Sequence, residues 1–484
     1  MAHGSGDVAA PWWRGGTIYQ VYPRSFQDAS GDGVGDLAGV RERLPYLRWL
    51  GVDAVWLSPF YVSPMADCGY DVADHCDVDP LFGSLADFDA LAAEARRLNL
   101  RLILDYVPNH TSSEHPWFRE HPEYYLWRDE PNNWVSVFGG SAWEPLDGRF
   151  YYHAYLPQQP DLDWRNPEVR EAMLGVLRFW CERGADGFRI DALRQTIKDA
   201  HWRDNPVNPD WDGVDDYDSL IPAFSTDQPE VQDLVRLFRD TVGERLLIGE
   251  LYLPLERLMA YYGSGLDMPA NFHLISTDWN AAAIAELVER YEAALPDGAW
   301  PNWVLGNHDR PRLASRIGAA QTAAAAMLLT TLRGTPTLYY GDEIGMRDGV
   351  FEHSRDPSGR RDPARTPMQW GDRGFSAAEP WLPYGDERIS VAAQRDDPAS
   401  LLSLYRRLLR ARRELAYEPY ETLAAGETLV FRRGPFSVAL NLGGEEAAAA
   451  VAGEVVVATD VRREGERVPG EVRLAAGEGV LLRG

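Results

Sequence analysis

The sequence predicts an α/β chain: a (β/α)8 TIM barrel with a subdomain inserted after strand 3 and an antiparallel β domain at the C-terminal end. Three observations carry that prediction. Short apolar runs of strand length alternate with amphipathic runs of helix length, the pattern of βαβ units around a parallel sheet. After Val107 the alternation stops for about 55 residues, too long for an ordinary connection, and then resumes. From about residue 417 the pattern changes to short alternating runs of the kind that antiparallel sheets show.

Taken in order, TIYQVY (17–22) reads as the first strand, LAGVRERLPYLRWL as the first helix and AVWLS as the second strand. LADFDALAAEARRL is the next helix, and RLILDYV (101–107) the third strand. The interruption is rich in Pro, Trp, Tyr and Asn, as an inserted subdomain would be. Beyond it, VREAMLGVLRFWCERG reads as a helix closed by Gly184, and GFRID and LLIGE as buried strands. NWVLG, AAQTAAAAMLLTTLRG and PTLYYG continue the series. Strands are thus expected near residues 18, 55, 103, 188, 248, 270, 304 and 338, the eight that close a barrel. The expected boundaries are 1–108 for the first part of the catalytic barrel, 109–163 for the insert, 164–416 for the rest of the barrel and 417–484 for a C-terminal β-sandwich. TLVFRR, FSVALNL, EVVVATD and GVLLRG would be strands of that last domain.

Composition narrows the function. At 484 residues, 45% hydrophobic and 25% charged, the chain is neither a small binding module nor largely disordered. Its 48 basic against 74 acidic residues leave a net charge of -26, which repels nucleic acid and anionic lipid in the absence of a basic patch, and none stands out. The 17 Trp, 22 Tyr and 16 Phe serve mainly core packing, with some free to offer flat faces to a sugar. Cys68, Cys76 and Cys181 are odd in number, so a disulfide framework is not expected and a reducing compartment is favoured. The start, MAHGSGDVAAPWW, has neither a basic beginning nor an apolar run of signal-peptide length, and AAAAMLLTTL is too short to span a bilayer. These features predict a cytoplasmic protein without membrane or nucleic-acid partners, as a monomer or small homo-oligomer.

Barrels of this kind place their reacting groups at the C-terminal ends of strands. There the sequence sets Asp105 with Asn109 and His110, Arg189 with Asp191, Glu250, and Asn307 with His308 and Asp309. Any one such carboxylate could cap a helix or pair with an arginine. Four at neighbouring strand ends would share a pocket, where repulsion and desolvation separate acid from base roles, as glycosidases require. Arg189 and Asp191, two apart on a strand, share a face, so the guanidinium can hold the carboxylate ionised. Glu250 follows the apolar run LLIG, a setting that suits a proton donor. A second pattern, DASGDGVGDL (28–37), offers Asp28, Ser30, Asp32, the Val34 carbonyl and Asp36 at the one, three, five, seven and nine positions of a Ca2+ loop, with Gly33 at the turn. The distal bidentate Glu of such loops is missing, since Gly39 stands there.

On these residues the chain resembles the α-amylase superfamily, glycoside hydrolase family 13, over nearly its whole length. The family's blocks are DYVPNH (105–110), GFRIDA (187–192), IGEL (248–251), GNHD (306–309), QPDLD (159–163), GYD (69–71) and GTPTLYYGDEIGM (334–346). The resemblance implies Asp191 as nucleophile, Glu250 as general acid/base and Asp309 as the carboxylate that stabilises the transition state. It implies a sugar pocket of Tyr70, Asp71, His110, Arg189, His308 and Arg312, and a retaining mechanism with two carboxyl groups roughly 5 to 5.5 Å apart. Within the family the chain is most similar to the exo-acting α-glucosidases of the oligo-1,6-glucosidase-like group, through QPDLD and GELYLPLERLMAYYG. Asp163 stands where that group usually has Asn. The similarity implies that Asp71 and Arg312 pair across the pocket and admit only a terminal glucose. It implies structural Ca2+ at the Asp28–Asp36 loop and no cofactor for the chemistry. Ala192, directly after the nucleophile, resembles the residue of α-1,4-preferring enzymes. Lys198 is the sole lysine of the chain and matches one that, in related glucosidases, takes the place of the amylases' central calcium.

The expected function is therefore a retaining α-glucosidase acting on short α-linked oligosaccharides or glucosides, with transglucosylation as a companion activity. The alternatives are a transglucosylase or sucrose-converting enzyme of the same family, or the non-catalytic amylase-like subunit of amino-acid transporters. The last has lost catalytic carboxylates that are present here.

Overall fold

The computed structural model describes residues 10–350, 354–356 and 359–484. The stretch before residue 10, which carries most of the leader reading, lies outside the described residues. The strands are β1 (Ile18–Val21), β2 (Ala54–Leu57), β3 (Arg101–Tyr106), β4 (Gly187–Ile190), β5 (Leu246–Glu250), β6 (Met268–Ala270), β7 (Asn302–Val304) and β8 (Thr335–Tyr339). They are parallel, in the order β6-β5-β4-β3-β2-β1-β8-β7. A parallel bridge from Asn271 to Trp303 joins β6 to β7 and closes the ring. Nearly every strand residue is buried, because helices cover the outside and side chains fill the inside. This explains why the strands read as continuous apolar runs.

The helices between them start and stop on the local signals. In α1 (Leu37–Leu50) the Asp36 side chain caps the N-terminus by accepting from Gly39 N, and Gly51 ends it at φ +107°. In α2 (Leu85–Arg97) Ser84 and Asp87 form a capping box. Asn166 caps α3 (Pro167–Arg183), which Gly184 closes at φ +105° as expected. Late in the chain, α4 (Leu401–Leu415) runs from a Ser400 cap to the C-terminal domain.

Two additions position the site. Between β3 and β4 lies a three-stranded antiparallel sheet of Trp127–Arg128, Arg149–Tyr152 and Trp143–Leu146, with its own core that includes Trp134, Trp143 and Tyr152. In the connection from β2 to α2, Tyr61–Val62 pairs antiparallel with Asp74–Val78, a hairpin that the sequence pattern did not indicate. Asp67, Tyr70 and Asp71 lie on its long loop. The C-terminal domain is a six-stranded antiparallel sheet facing a two-stranded one, with Val430, Ala439, Val455, Leu474 and Leu482 buried together.

Among the described residues no helix is long and apolar enough to cross a membrane, and Cys68, Cys76 and Cys181 are unpaired. Arg406, Arg407, Arg410 and Arg413 of α4 line a cavity of about 520 Å³ with Trp49, and two of the four are ion-paired, Arg407 with Glu464 at 2.8 Å and Arg413 with Asp53 at 3.8 Å.

Candidate active site

The strand register sets the heights of the reacting groups. Asp105 lies level with Arg189, and Ile190 level with Gly249, so Asp191 and Glu250 emerge side by side from the ends of β4 and β5. A cavity of about 560 Å³ opens above them, and Tyr70, His110, Asp191, Ala192, Glu250, His308 and Asp309 all line it.

Arg189, 2% exposed, organises the floor. Its Nη1 donates to Asp105 Oδ1 and Asp191 Oδ1, each at 2.7 Å, and its Nη2 lies 2.8 Å from Glu250 Oε1. One cation thus serves three buried carboxylates. Burial pushes Asp105 up to about 6, with Arg189 opposing. Burial also raises Asp191 well above the usual carboxylate range, and the negative charges of Glu250 and Asp105 add to the rise against the pull of Arg189. The expectation that Arg189 would by itself keep Asp191 ionised is therefore too simple, because the guanidinium is divided among three partners.

Asp309 is treated differently. Burial acts to raise its pKa, but its surroundings prevail and hold it below the usual range. His308 Nε2 is 3.3 Å away, yet burial lowers this histidine to about 3, so it is neutral at pH 7. The permanent charges of Arg365, at 3.0 Å, and Arg361, at 3.6 Å, are what keep Asp309 ionised. Tyr70 and His308 form a wall, their rings stacked with centroids 5.3 Å apart, and the Tyr70 hydroxyl meets His308 Nε2 at 2.7 Å and Asp105 Oδ2 at 3.1 Å. His110 is lowered by burial and so is neutral, and its Nε2 lies 3.1 Å from the Tyr70 carbonyl and 3.0 Å from Gln159 Nε2.

Three expected pocket residues do not line the cavity: Arg189 lies beneath Asp191 and Glu250, and two are elsewhere. Arg312 is fully buried in the barrel wall, donating from Nη1 to the Tyr340 carbonyl at 2.7 Å with its guanidinium over the Tyr340 ring. Asp71 is equally buried and closes its own loop, accepting from Ser63 Oγ, Ala66 N and Asp67 N at 2.9 to 3.0 Å. They do not pair, and neither lines the cavity. The pair across the pocket is Asp67 with Arg361, both in its lining. Arg361 also holds Asp356, while Gln159, the first residue of QPDLD, donates to Asp67 Oδ2 at 3.0 Å. Asp67 lies only four residues before Asp71 in the sequence, close to the GYD block, whereas nothing local distinguishes Arg361. Sequence reasoning also missed Tyr155, Phe138 and Tyr252, the last stacked on Phe272 at 4.4 Å.

Lys198 is buried rather than displayed on a helix surface, and its Nζ donates to Asn109 Oδ1 at 2.9 Å and to Asp161. Burial lowers its pKa and Asp161 opposes the shift. This ammonium links DYVPNH on the barrel to QPDLD at the end of the insert.

The Asp28–Asp36 loop has the donor types of a Ca2+ site, and Gly33 turns at φ +94°. Its carboxylates, however, are occupied by the loop itself. Asp28 accepts from Gly31 N and Gly33 N, and Asp36 from Ala29 N, Ser30 N and Gly39 N. Among the described residues no three His, Cys, Asp or Glu side chains converge as metal ligands in this conformation.

Comparison with known proteins accounts for this geometry. The profile of the alpha amylase catalytic domain matches residues 20–418. The chain belongs to the α-amylase family. Among its relatives in that family, a probable alpha-glucosidase of Rhizobium meliloti (strain 1021) is 42% identical over 83% of this chain and 82% of its own length. An alpha-glucosidase of Apis mellifera is 40% identical over 81% of this chain and 76% of its own. The crystal structure of an alpha-glucosyl transfer enzyme, XgtA, superposes with a TM-score of 0.92 at 38% identity, covering 98% of this chain and all of the other.

Proposed function

We propose that this α-amylase-family chain is a retaining α-glucosidase that releases terminal non-reducing glucose from short, α-1,4-linked oligosaccharides or glucosides. The observation that carries the reading is the arrangement of Asp191 and Glu250 on one guanidinium at the floor of a cavity crossed by the Asp67–Arg361 pair. In this reading a carboxylate oxygen of Asp191 attacks the anomeric carbon while Glu250 gives its proton to the departing glycosidic oxygen. Glu250 then takes a proton from water, which displaces Asp191 and completes the double inversion. Asp309, held ionised by Arg365 and Arg361, lies against the positive charge that develops on the sugar ring. The Tyr70 ring and neutral His110 and His308 contact the sugar.

The names of the relatives, alpha-glucosidases and maltases at 37 to 42% identity, support hydrolysis. Transfer of the same glucosyl group to a sugar or alcohol is a companion activity, supported by the likeness to XgtA and to a trehalulose synthase, MutB, at a TM-score of 0.90 and 30% identity over 98% of this chain and all of the other. The unpaired cysteines support a cytoplasmic location. The ligand spacing of the Asp28–Asp36 loop supports structural Ca2+ in a rearranged loop, away from the chemistry.

The test is incubation with maltose, isomaltose and sucrose and separation of all products, with the anomer of the first-released glucose read by NMR. Glucose from maltose, released first as the α-anomer and faster than from isomaltose, is expected. A β-anomer, or activity retained by Asp191→Ala, overturns the reading.

A further inference from the structure

We infer that Ala192 positions the acid/base carboxylate through its backbone N–H, an inference that rests on the roles proposed above for Asp191 and Glu250. β4 ends at Ile190, and the chain must turn between Asp191 and the short 3-10 turn Leu193–Gln195. It turns at Ala192, which takes φ +48° and ψ 30°, a left-handed conformation that an L residue adopts only at a cost. The bend is held on either side. Asp191 N donates to the Tyr106 carbonyl, and Gln195 N to the Ala192 carbonyl, each at 2.8 Å.

The product of the bend is the direction of one amide. Ala192 N lies 2.8 Å from Glu250 Oε2 and donates to it. The other carboxyl oxygen, Oε1, faces Arg189 Nη2 at 2.8 Å. Glu250 is therefore held at both oxygens by donors from the segment that bears the nucleophile, which fixes one carboxyl relative to the other. Arg189 is shared with Asp105 and Asp191, whereas the Ala192 amide serves Glu250.

Ala192 is also 3% exposed and lines the cavity, so a larger side chain there would crowd a bound leaving group. The two effects separate by residue type. Asn tolerates the left-handed region, whereas Val, of similar bulk, is an outlier there. A backbone role predicts that substitutions rank by tolerance of that conformation; a purely steric role predicts that they rank by size.

The readout is the ratio of kcat/KM on α-glucosyl fluoride, whose leaving group needs little protonation, to kcat/KM on maltose, whose leaving group needs it. Ala192→Gly is expected to keep this ratio within about threefold of the parent, Ala192→Asn to raise it only by the crowding its bulk brings, and Ala192→Val to raise it about tenfold beyond Asn through loss of the amide's direction. Lactic acid incorporated in place of Ala192 keeps the side chain and replaces the N–H by an ester oxygen that cannot donate, and is expected to raise the ratio like Val even if the Val protein folds poorly. An unchanged ratio in the lactic acid protein, or equal losses for Asn and Val, overturns the positioning role. A parent protein inactive on both donors would instead refute the glucosidase reading itself.

Discussion

At the floor of the cavity one guanidinium, Arg189, serves Asp105, Asp191 and Glu250, whereas at its side Asp309 has Arg365 and Arg361 against it. Burial acts to raise the carboxyl groups in both places, so desolvation does not explain why Asp105 and Asp191 are raised while Asp309 is lowered. The ratio of fixed positive to negative charge decides the sign. With one guanidinium shared among three carboxylates, burial prevails at Asp105 and Asp191 and raises both. Asp309, with Arg365 beside it and a share of the Arg361 that also holds Asp67 and Asp356, stays charged, which suits stabilisation of positive charge.

The sharpest way to break the comparison is to remove the shared cation. Arg189→Met leaves three buried carboxylates without the cation they share, and is expected to cost at least about 10³ in kcat/KM on maltose and about 3 to 5 kcal/mol of stability. Urea titration beside steady-state kinetics checks both. Retention of most activity would mean that the carboxylates do not depend on the guanidinium.

Arg365→Leu tests the other corner. Asp309 keeps Arg361 but loses the nearer charge, so its pKa rises toward the usual carboxylate range and kcat/KM at neutral pH falls about 10- to 100-fold, with the acid limb left where Asp191 sets it. Activity within about twofold of the parent would mean that Asp309 does not depend on Arg365.

A smaller effect concerns stability. The folded pKa of Asp105, about 6, stands above its ordinary value. Its protonated form therefore favours the fold at about pH 4, and that contribution is lost as the pH rises through about 6. Asp105→Asn cannot ionise, so its decline in unfolding free energy between pH 4 and pH 7 is expected to be about 2 kcal/mol smaller than that of the parent. Parallel curves for the two proteins would place Asp105's ionisation outside this window.

Smallest of all is the loop remote from both corners. If Asp28 and Asp36 release their amides to hold Ca2+, chelation lowers the melting temperature by a few degrees and leaves activity at moderate temperature nearly unchanged. No shift, with no metal found by elemental analysis, assigns the loop to capping α1 and to its own amides.

Much of this architecture was legible without coordinates, for a local reason. Buried parallel strands read as apolar runs and covering helices as amphipathic ones, so the starts of β1 to β8 fall close to the predicted positions. Capping by Asp36, Ser84 and Asn166, and termination at Gly51 and Gly184, depend on residues a few positions away. The motif blocks also placed Asp191, Glu250 and Asp309 at strand ends, where they share a cavity. The hairpin between β2 and α2 escaped notice because Tyr61–Val62 is too short to show a period.

What the sequence by itself determined is thus the set of elements and the carboxylates at their ends, because backbone periodicity and strand-end placement are properties of neighbouring residues. Which charge meets which was decided only by the tertiary structure. Asp71 and Asp67 are the same residue type and lie on the same loop, but a backbone turn consumes the first and exposes the second to Arg361, 294 residues further along. Lys198 was conspicuous as the sole lysine, yet its burial follows from Asn109 and Asp161 converging on it from 89 and 37 residues away. Electrostatic pairing acts through space over a few ångströms, and the sequence orders residues only along the chain; the fold converts the one distance into the other.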